Sequence, residues 1–288
     1  MTVPLPGHLS ANTTRCANKD MNYAELRVRL ATWAAPLNGQ VAVWHEVAST
    51  SDYLREHWPQ QAISGAAWSV CVAQAQTAGR GRHGHIWQSD PGAGLWFSLA
   101  VPVAAPSAAN APPPLSLVLA AELIQALRST HFPVNLKWPN DLWLHGKKVG
   151  GLLIEQLGRA DARYWLVGVG INWHAPVGLM GDKTGVIPAV TGLLDESLRP
   201  NISREDLSIA LIHRTMAIVQ SPDEWQESMR HINQFNVLSG RRIQVWESDR
   251  PLFQGVATDI LPSGELTLIT DEGRTHQIGG AFSVRVLT

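Results

Sequence analysis

Residues 136–155 read Leu136-Lys-Trp-Pro-Asn-Asp-Leu-Trp-Leu-His-Gly-Lys-Lys-Val-Gly-Gly-Leu-Leu-Ile-Glu155. Two turn signals, Pro139-Asn140-Asp141 and His145-Gly146-Lys147, punctuate apolar runs, so the spacing predicts strands at Val134 to Trp138 and Lys148 to Gln156 joined by tight turns. Pro139 fixes its own φ and has no N–H for a ladder, which ends the first strand. Lys137, Asn140, Asp141 and Lys148 all fall around these turns, where side chains can converge on a ligand while strands hold the backbone. Taken singly, an Asn-Asp pair or a Lys-Lys pair at a turn is more often a plain solvated turn.

Working outward, Tyr164 to Trp173 reads as a further strand whose segment Gly168-Val-Gly-Ile-Asn172 lets another group pack against the backbone. On the N-terminal side, Gln76-Thr-Ala-Gly-Arg-Gly-Arg-His-Gly-His-Ile-Trp87 follows an apolar strand candidate at 67–74. Gly79, Gly81 and Gly84 let backbone N–H groups approach a ligand closely. Arg80 and Arg82 add planar, permanent cations suited to carboxylate or phosphate. By itself this loop is equally a basic surface turn.

The remaining pattern predicts a large α/β portion and a small all-β tail. Tyr23, Leu26 and Leu30 have helical spacing before a strand at Val41 to Trp44, and Ser49 with Asp52 resembles a capping box opening a helix toward Trp58. A strand at 95–101, a proline-rich loop at 102–114 and an apolar helix from Leu115 to Arg128 follow. Helices return at 204–219, capped by Ser203 with Asp206, and at about 223–235. After Ser239-Gly240, five short strands suggest a small barrel: Ile243 to Trp246, Leu252 to Asp259, Glu265 to Thr270, Thr275 to Ile278 and Phe282 to Leu287.

Composition narrows the classes. The 288 residues carry 23 Lys+Arg against 24 Asp+Glu, so any cationic site is local and the chain as a whole is no polyanion binder. Cys16 and Cys71 cannot build a disulfide framework, and Cys71 within Trp-Ser-Val-Cys-Val-Ala reads as a small buried hydrophobe, which fits a reducing cytoplasm. No stretch has the apolar length of a membrane span, and residues 1–20 lack the apolar middle of a secretory signal. Those residues read as a disordered leader, with Met21 an alternative start.

Taken together, Ser49-Thr50, Gly79-Arg-Gly-Arg-His-Gly-His-Ile-Trp87, Lys137-Trp-Pro-Asn-Asp141, Lys148-Val-Gly-Gly-Leu-Leu-Ile-Glu155 and Gly168-Val-Gly-Ile-Asn172 resemble, in order and spacing, the biotin protein ligases. Independent coincidences multiply, so the set is far more specific than any one block. The resemblance implies an α+β fold: a mixed-sheet catalytic domain of the class II synthetase-like type at 21–237 and an SH3-like β-barrel at 238–288. It implies activation of biotin by ATP to biotinyl-5′-AMP, with release of pyrophosphate, and transfer of biotin to a lysine of a biotin carboxyl carrier protein. Biotin and ATP are then the substrates and Mg2+ the accompanying ion.

By the same resemblance, Ser49, Thr50, Ser51, Gln76, Gly79, Arg80, Gly81, Arg82, Lys148, Gly151, Gly168 and Gly170 would bind biotin. Arg82, His85, Trp87, Asn140, Ile171 and Asn172 would bind ATP or the adenylate. Arg82, Lys148, Asp141 and Lys137 would serve the chemistry. Asn140 and Asp141 would be the oxygen ligands near Mg2+, or Asp141 would instead orient the incoming amine or take its proton. A cationic glycine-rich loop suits the first step, because the carboxylate and the triphosphate repel each other.

His85 departs from the family, which often has an arginine there. The short stretch before Val41 leads to the expectation of a ligase without a DNA-binding head, with no DNA or membrane partner, acting as a monomer or weak homodimer. Two alternatives from the same residues are a lipoate-type acyl-acid ligase and a nucleic-acid-binding module. Near-neutral charge and the lack of a basic, aromatic-laced stripe in 239–288 weigh against the latter.

Overall fold

The computed structural model describes residues 21–103, 114–158, 162–177, 189–195, 201–248 and 250–287. The expected disordered leader and most of the proline-rich loop lie outside the described residues.

The larger sheet contains β1 (Gly39–Val47), β2 (Trp68–Gln76), β3 (Gly94–Pro102), β4 (Asn135–Lys137), β5 (Asp141–Leu144), β6 (Lys147–Leu157) and β7 (Tyr164–Asn172). Their spatial order is β1-β2-β3-β7-β6-β5-β4. Only β1 and β2 are parallel, and the crossover this demands is the helix α2 (Thr50–Ile63). Ser49 caps α2 as its spacing to Asp52 predicts, its Oγ accepting the Asp52 N–H at 3.3 Å.

Both faces of this sheet are covered, which explains near-continuous apolar strands such as β3. Alternate residues Val70, Val72, Phe97 and Leu99 point into the main core with α1 (Tyr23–Ala34), α3 (Leu115–Ser129) and α4 (Arg204–Gln220). Cys71, Ala100 and Leu166 face Leu54 and Trp58 of α2 on the other side. Helix α3 is buried almost all round, and each of its fully enclosed leucines contributes about 1.5–3 kcal/mol relative to exposure.

Two expectations need correction. The segment between the predicted turns, Asp141–Leu144, is itself a strand, β5, short but with Leu142 and Leu144 fully enclosed. The helix expected over 223–235 is broken: α5 spans only Trp225–Met229, with 3-10 turns at Pro222–Glu224 and Ile232–Phe235. Tertiary bonds dominate there, since the Asn233 side chain donates to Ile260 O at 3.0 Å and accepts from Ile260 N at 2.7 Å.

Ile260 belongs to the second sheet. Strands β8 (Arg242–Glu247), β9 (Arg250–Ile260), β10 (Leu266–Ile269), β11 (Thr275–Ile278) and β12 (Ser283–Val286) are all antiparallel in the order β11-β10-β9-β8-β12, so the last strand returns to pair with the first. Trp138 Nε1 donates to Gly264 O at 3.0 Å and ties this small β unit to the turn after β4.

Candidate active site

The register of the large sheet gathers the sequence blocks at one end. Val47 of β1 lies beside Gln76 of β2, Gly94 of β3 beside Asn172 of β7, Gly150 of β6 beside Ile171, and Asp141 of β5 beside Gly151. The N-terminus of α2 follows directly after β1 at this same end, bringing Ser49, Thr50 and Ser51, all buried, against β2 and β3.

These hydroxyls form a chain. Gln76 Oε1 accepts from Thr50 N at 2.9 Å and Thr50 Oγ1 at 3.1 Å. Ser98 Oγ lies 2.8 Å from Thr50 Oγ1 and 2.9 Å from Ser51 Oγ. Gln76 Nε2 donates to Ser89 Oγ at 2.8 Å. A Cβ on Gly168 would come within 2.9 Å of Ser51 Oγ, so the glycine is what admits this patch.

The glycine and arginine loop is stapled by its own backbone. Gly81 N donates to His85 O at 2.7 Å, His85 N to Arg82 O at 3.0 Å and Trp87 N to Gly79 O at 2.9 Å. Gly84 takes φ +77°, a left-handed conformation natural to glycine, and His83 beside it also has positive φ. The His85 side chain is exposed, and its backbone is what closes the loop. Arg80 is exposed and paired with Asp52 at 2.7 Å, within a cluster that includes Arg55 and Glu155. Arg82 turns inward, donating to Asn140 Oδ1 at 3.1 Å and to the Gly280 carbonyl of the small β unit.

Beside Arg82 lies a three-residue charge cluster. Lys148 Nζ is 2.6 Å from Asp141 Oδ1, and Lys137 Nζ is 3.8 Å from Oδ2. Burial pushes the Lys137 ammonium below the ordinary lysine range, with Asp141 opposing and Lys148 adding to that shift. Burial alone would raise the Asp141 carboxyl, but Lys148 and Lys137 outweigh it and hold it below the usual range. Burial likewise lowers the Arg82 guanidinium against the pull of Asp141. Three cations face one carboxylate, so the cluster carries unbalanced positive charge suited to an anionic ligand.

Trp87 roofs this cluster, its ring 5.4 Å from Lys148 Nζ. A Cβ on Gly170 would strike that ring at 2.8 Å, and one on Gly79 would strike Trp87 O at 2.3 Å. Gly151 sits beside Asp141 and Lys148, and Ile171 and Asn172 are buried, with Asn172 Nδ2 donating to Thr191 O at 3.2 Å. A cavity of about 320 Å³ opens between β2 and residues 86–91, lined by Gln76, Trp87 and Ser89 among others.

The donor set at Asn140 and Asp141 does not fit the Mg2+ ligation expected of it. Both Asp141 oxygens face ammonium groups and Asn140 Oδ1 accepts from Arg82, so a dication there would add to positive charge already in excess. Among the described residues no group of three or more His, Cys, Asp or Glu gathers as a metal cluster.

Three contributors escaped the sequence reading: Ser98, Ser89 and the Gly280 carbonyl. Ser98 sits inside the apolar strand 95–101, and a serine there, pointing to the same face as its neighbours two away, was a visible signal. Ser89 and Gly280 reach the site only through long-range folding.

The chain is similar to proteins of known kind. Residues 43–172 match the Biotin/lipoate A/B protein ligase family. The bifunctional ligase/repressor BirA of Escherichia coli is 30% identical over 259 residues, spanning 86% of this chain and 74% of that protein. The biotin--[acetyl-CoA-carboxylase] ligase of Paracoccus denitrificans is 34% identical over 133 residues, spanning 45% of this chain and 53% of that protein. Among solved structures, the biotin protein ligase from Aquifex aeolicus in complex with biotin and ATP superimposes with a TM-score of 0.68 at 26% identity, covering 86% of this chain and 99% of that one. The fold, the site and these relatives together make this chain a member of the biotin protein ligase family.

Proposed function

We propose that this chain joins biotin to ATP as biotinyl-5′-AMP, releasing pyrophosphate, and then transfers biotin to a lysine of a biotin carboxyl carrier protein. The carrying observation is the convergence of a buried hydroxyl patch with Arg82, Lys148 and Lys137 at one end of the sheet. In the first step a biotin carboxylate oxygen bonds to the α-phosphorus of ATP and the bond to the β-phosphate bridge breaks. Arg82 and Lys148 offset the repulsion between these anions and keep the carboxylate near the phosphorus. In the second step the neutral carrier amine attacks the acyl carbon, the acyl C–O bond to AMP breaks and AMP leaves, and the amine's surplus proton passes to solvent, with Lys148 drawing charge from the carbonyl.

Ser49, Thr50, Ser51 and Gln76 are the polar partners we assign to the biotin ring, while Gly168 and Gly170 keep the wall above them low. Gly79, Gly81 and Gly151 allow close backbone approach, and Arg80 reaches the biotin side from its pairing with Asp52. Trp87, Asn140, Ile171 and Asn172 are assigned to the adenylate. Asp141, held ionised by its lysines, is a weak base, and we assign it to positioning Lys148 rather than to taking the amine proton. No step is routed through a metal at Asn140 and Asp141.

We place the catalytic domain at 21–237 and the SH3-like unit at 238–288, and the protein in the cytoplasm with the carrier as its protein partner. Among the described residues no helix is long and apolar enough to cross a membrane. Incubation with biotin and ATP, followed by mass spectrometry, is expected to yield bound biotinyl-AMP and, on adding a carrier domain, a biotinylated lysine. Pyrophosphate release driven by lipoate and not by biotin would overturn the reading in favour of a lipoate-type ligase.

A further inference from the structure

The hydroxyl chain beneath the site has a direction. The Thr50 backbone N–H can only donate, and it meets Gln76 Oε1 at 2.9 Å, which fixes the orientation of that amide. Thr50 Oγ1, 3.1 Å from the same oxygen, therefore gives it its single hydrogen. Ser98 must then donate across the 2.8 Å contact to Thr50 Oγ1, and Ser51 must donate across the 2.9 Å contact to Ser98. The hydrogens run from Ser51 to Ser98 to Thr50 to Gln76.

Thr50 and Ser51 thereby offer lone pairs and no hydrogens to a ligand. Ser98, with no exposed surface, is the link that carries the polarity set at Gln76 through to Ser51. We propose that Ser98 is a positioning residue that leaves Thr50 and Ser51 as acceptors only, so that this side of the patch selects acids that carry N–H donors, such as the cyclic urea of biotin, over acids that carry none. The inference rests on the biotin reading above and adds to it a residue and a selection rule. Without the Ser98 hydroxyl, the Ser51 hydrogen loses its acceptor and turns toward the ligand, where an N–H can no longer be received.

Biotin-dependent ATP–pyrophosphate exchange tests this. Ser98→Ala is expected to raise the KM for biotin ~10-fold, the scale of one buried hydrogen bond, with kcat and the KM for ATP changed less than about twofold. Methylating the ureido nitrogens of biotin removes its donors. The wild-type chain should bind that analogue at least ~10-fold more weakly than biotin, and Ser98→Ala should lose most of this preference. Ser98→Cys keeps the volume but supplies only a weak donor, so it should show the same loss and serves if the alanine variant melts early. Equal wild-type affinity for biotin and the methylated analogue overturns the proposal, as does an unchanged preference in either folded variant. A wild-type chain with no biotin-dependent exchange overturns the underlying biotin reading instead.

Discussion

The Lys148 ammonium lies 2.6 Å from Asp141 Oδ1, while Lys137 approaches the other carboxylate oxygen at 3.8 Å. One carboxylate on β5 thus restrains two lysines on the strands flanking it, β4 and β6, and the side chains are only 15–22% exposed. Such an arrangement holds Lys148 Nζ in place beneath the Trp87 ring, 5.4 Å from its centroid.

Asp141→Asn is therefore expected to destabilise the fold by on the order of 3 kcal/mol, because two largely buried ammonium groups lose their counter-ion. The folded carboxyl lies below its unfolded value of about 3.9, so its contribution is present above about pH 4 and is lost as pH falls through the lower folded value. Urea unfolding from pH 7 down to pH 2 should show the gap between wild type and variant closing only below pH 4. A gap that stays constant over that range would mean the carboxylate is not held by the lysines.

Gly170→Ala isolates the contact with Trp87. The new methyl would lie 2.8 Å from the Trp87 ring, and Gly170 does not have positive φ, so backbone strain is not the issue. The ring must move and the loop with it. We expect kcat/KM for adenylate formation to fall at least ~10-fold, with Trp87→Ala/Gly170→Ala less than additive because neighbours in contact couple. Additive losses would place the effect elsewhere.

Much of this site was legible because its parts are local. The Ser49 cap and the tight turns around Asn140 and Gly146 are each set by a few neighbouring residues and form as their spacing predicts, and the strands expected at 67–74 and Tyr164 to Trp173 form with ends one or two residues away, at Gln76 and Asn172. What was not legible depends on contacts between distant segments. Arg80 pairs with Asp52 on α2, and Ser98 joins the hydroxyl chain only when β3 lies beneath α2. The break in the helix at 223–235 likewise follows from Asn233 bonding a strand of the small β unit, against local propensity.

His213 predicts a second pH effect, far from the site. Its ring stacks on Trp33 with centroids 4.0 Å apart, and Nε2 is buried with no hydrogen-bond partner among the described residues. Burial, reinforced by Arg29, lowers its pKa to about 4. The unfolded state then binds the extra proton first, so stability falls as pH drops from about 6.5 to about 4. His213→Phe should flatten thermal stability over that window. An unchanged slope would assign it to other groups.

Arg82 joins the loop to two distant elements, Asn140 after β4 and the Gly280 carbonyl of the small β unit, and that bridging is what Arg82→Gly removes. The half-buried guanidinium lies beside the cluster assigned to the phosphate, so its loss should raise the release rate of biotinyl-AMP at least ~10-fold, the worth of one charge-assisted bond. Released adenylate acylates exposed lysines without selection, and unrelated proteins in the mixture should become biotinylated. Lengthening the Gly279-Gly280 turn by one residue, where added atoms meet open space, should raise release more modestly because it withdraws only the carbonyl partner. Unchanged release in Arg82→Gly, measured by filter binding of labelled adenylate, would remove Arg82 from the retention of the intermediate; release unchanged in the lengthened turn alone would leave Asn140 as its sufficient anchor.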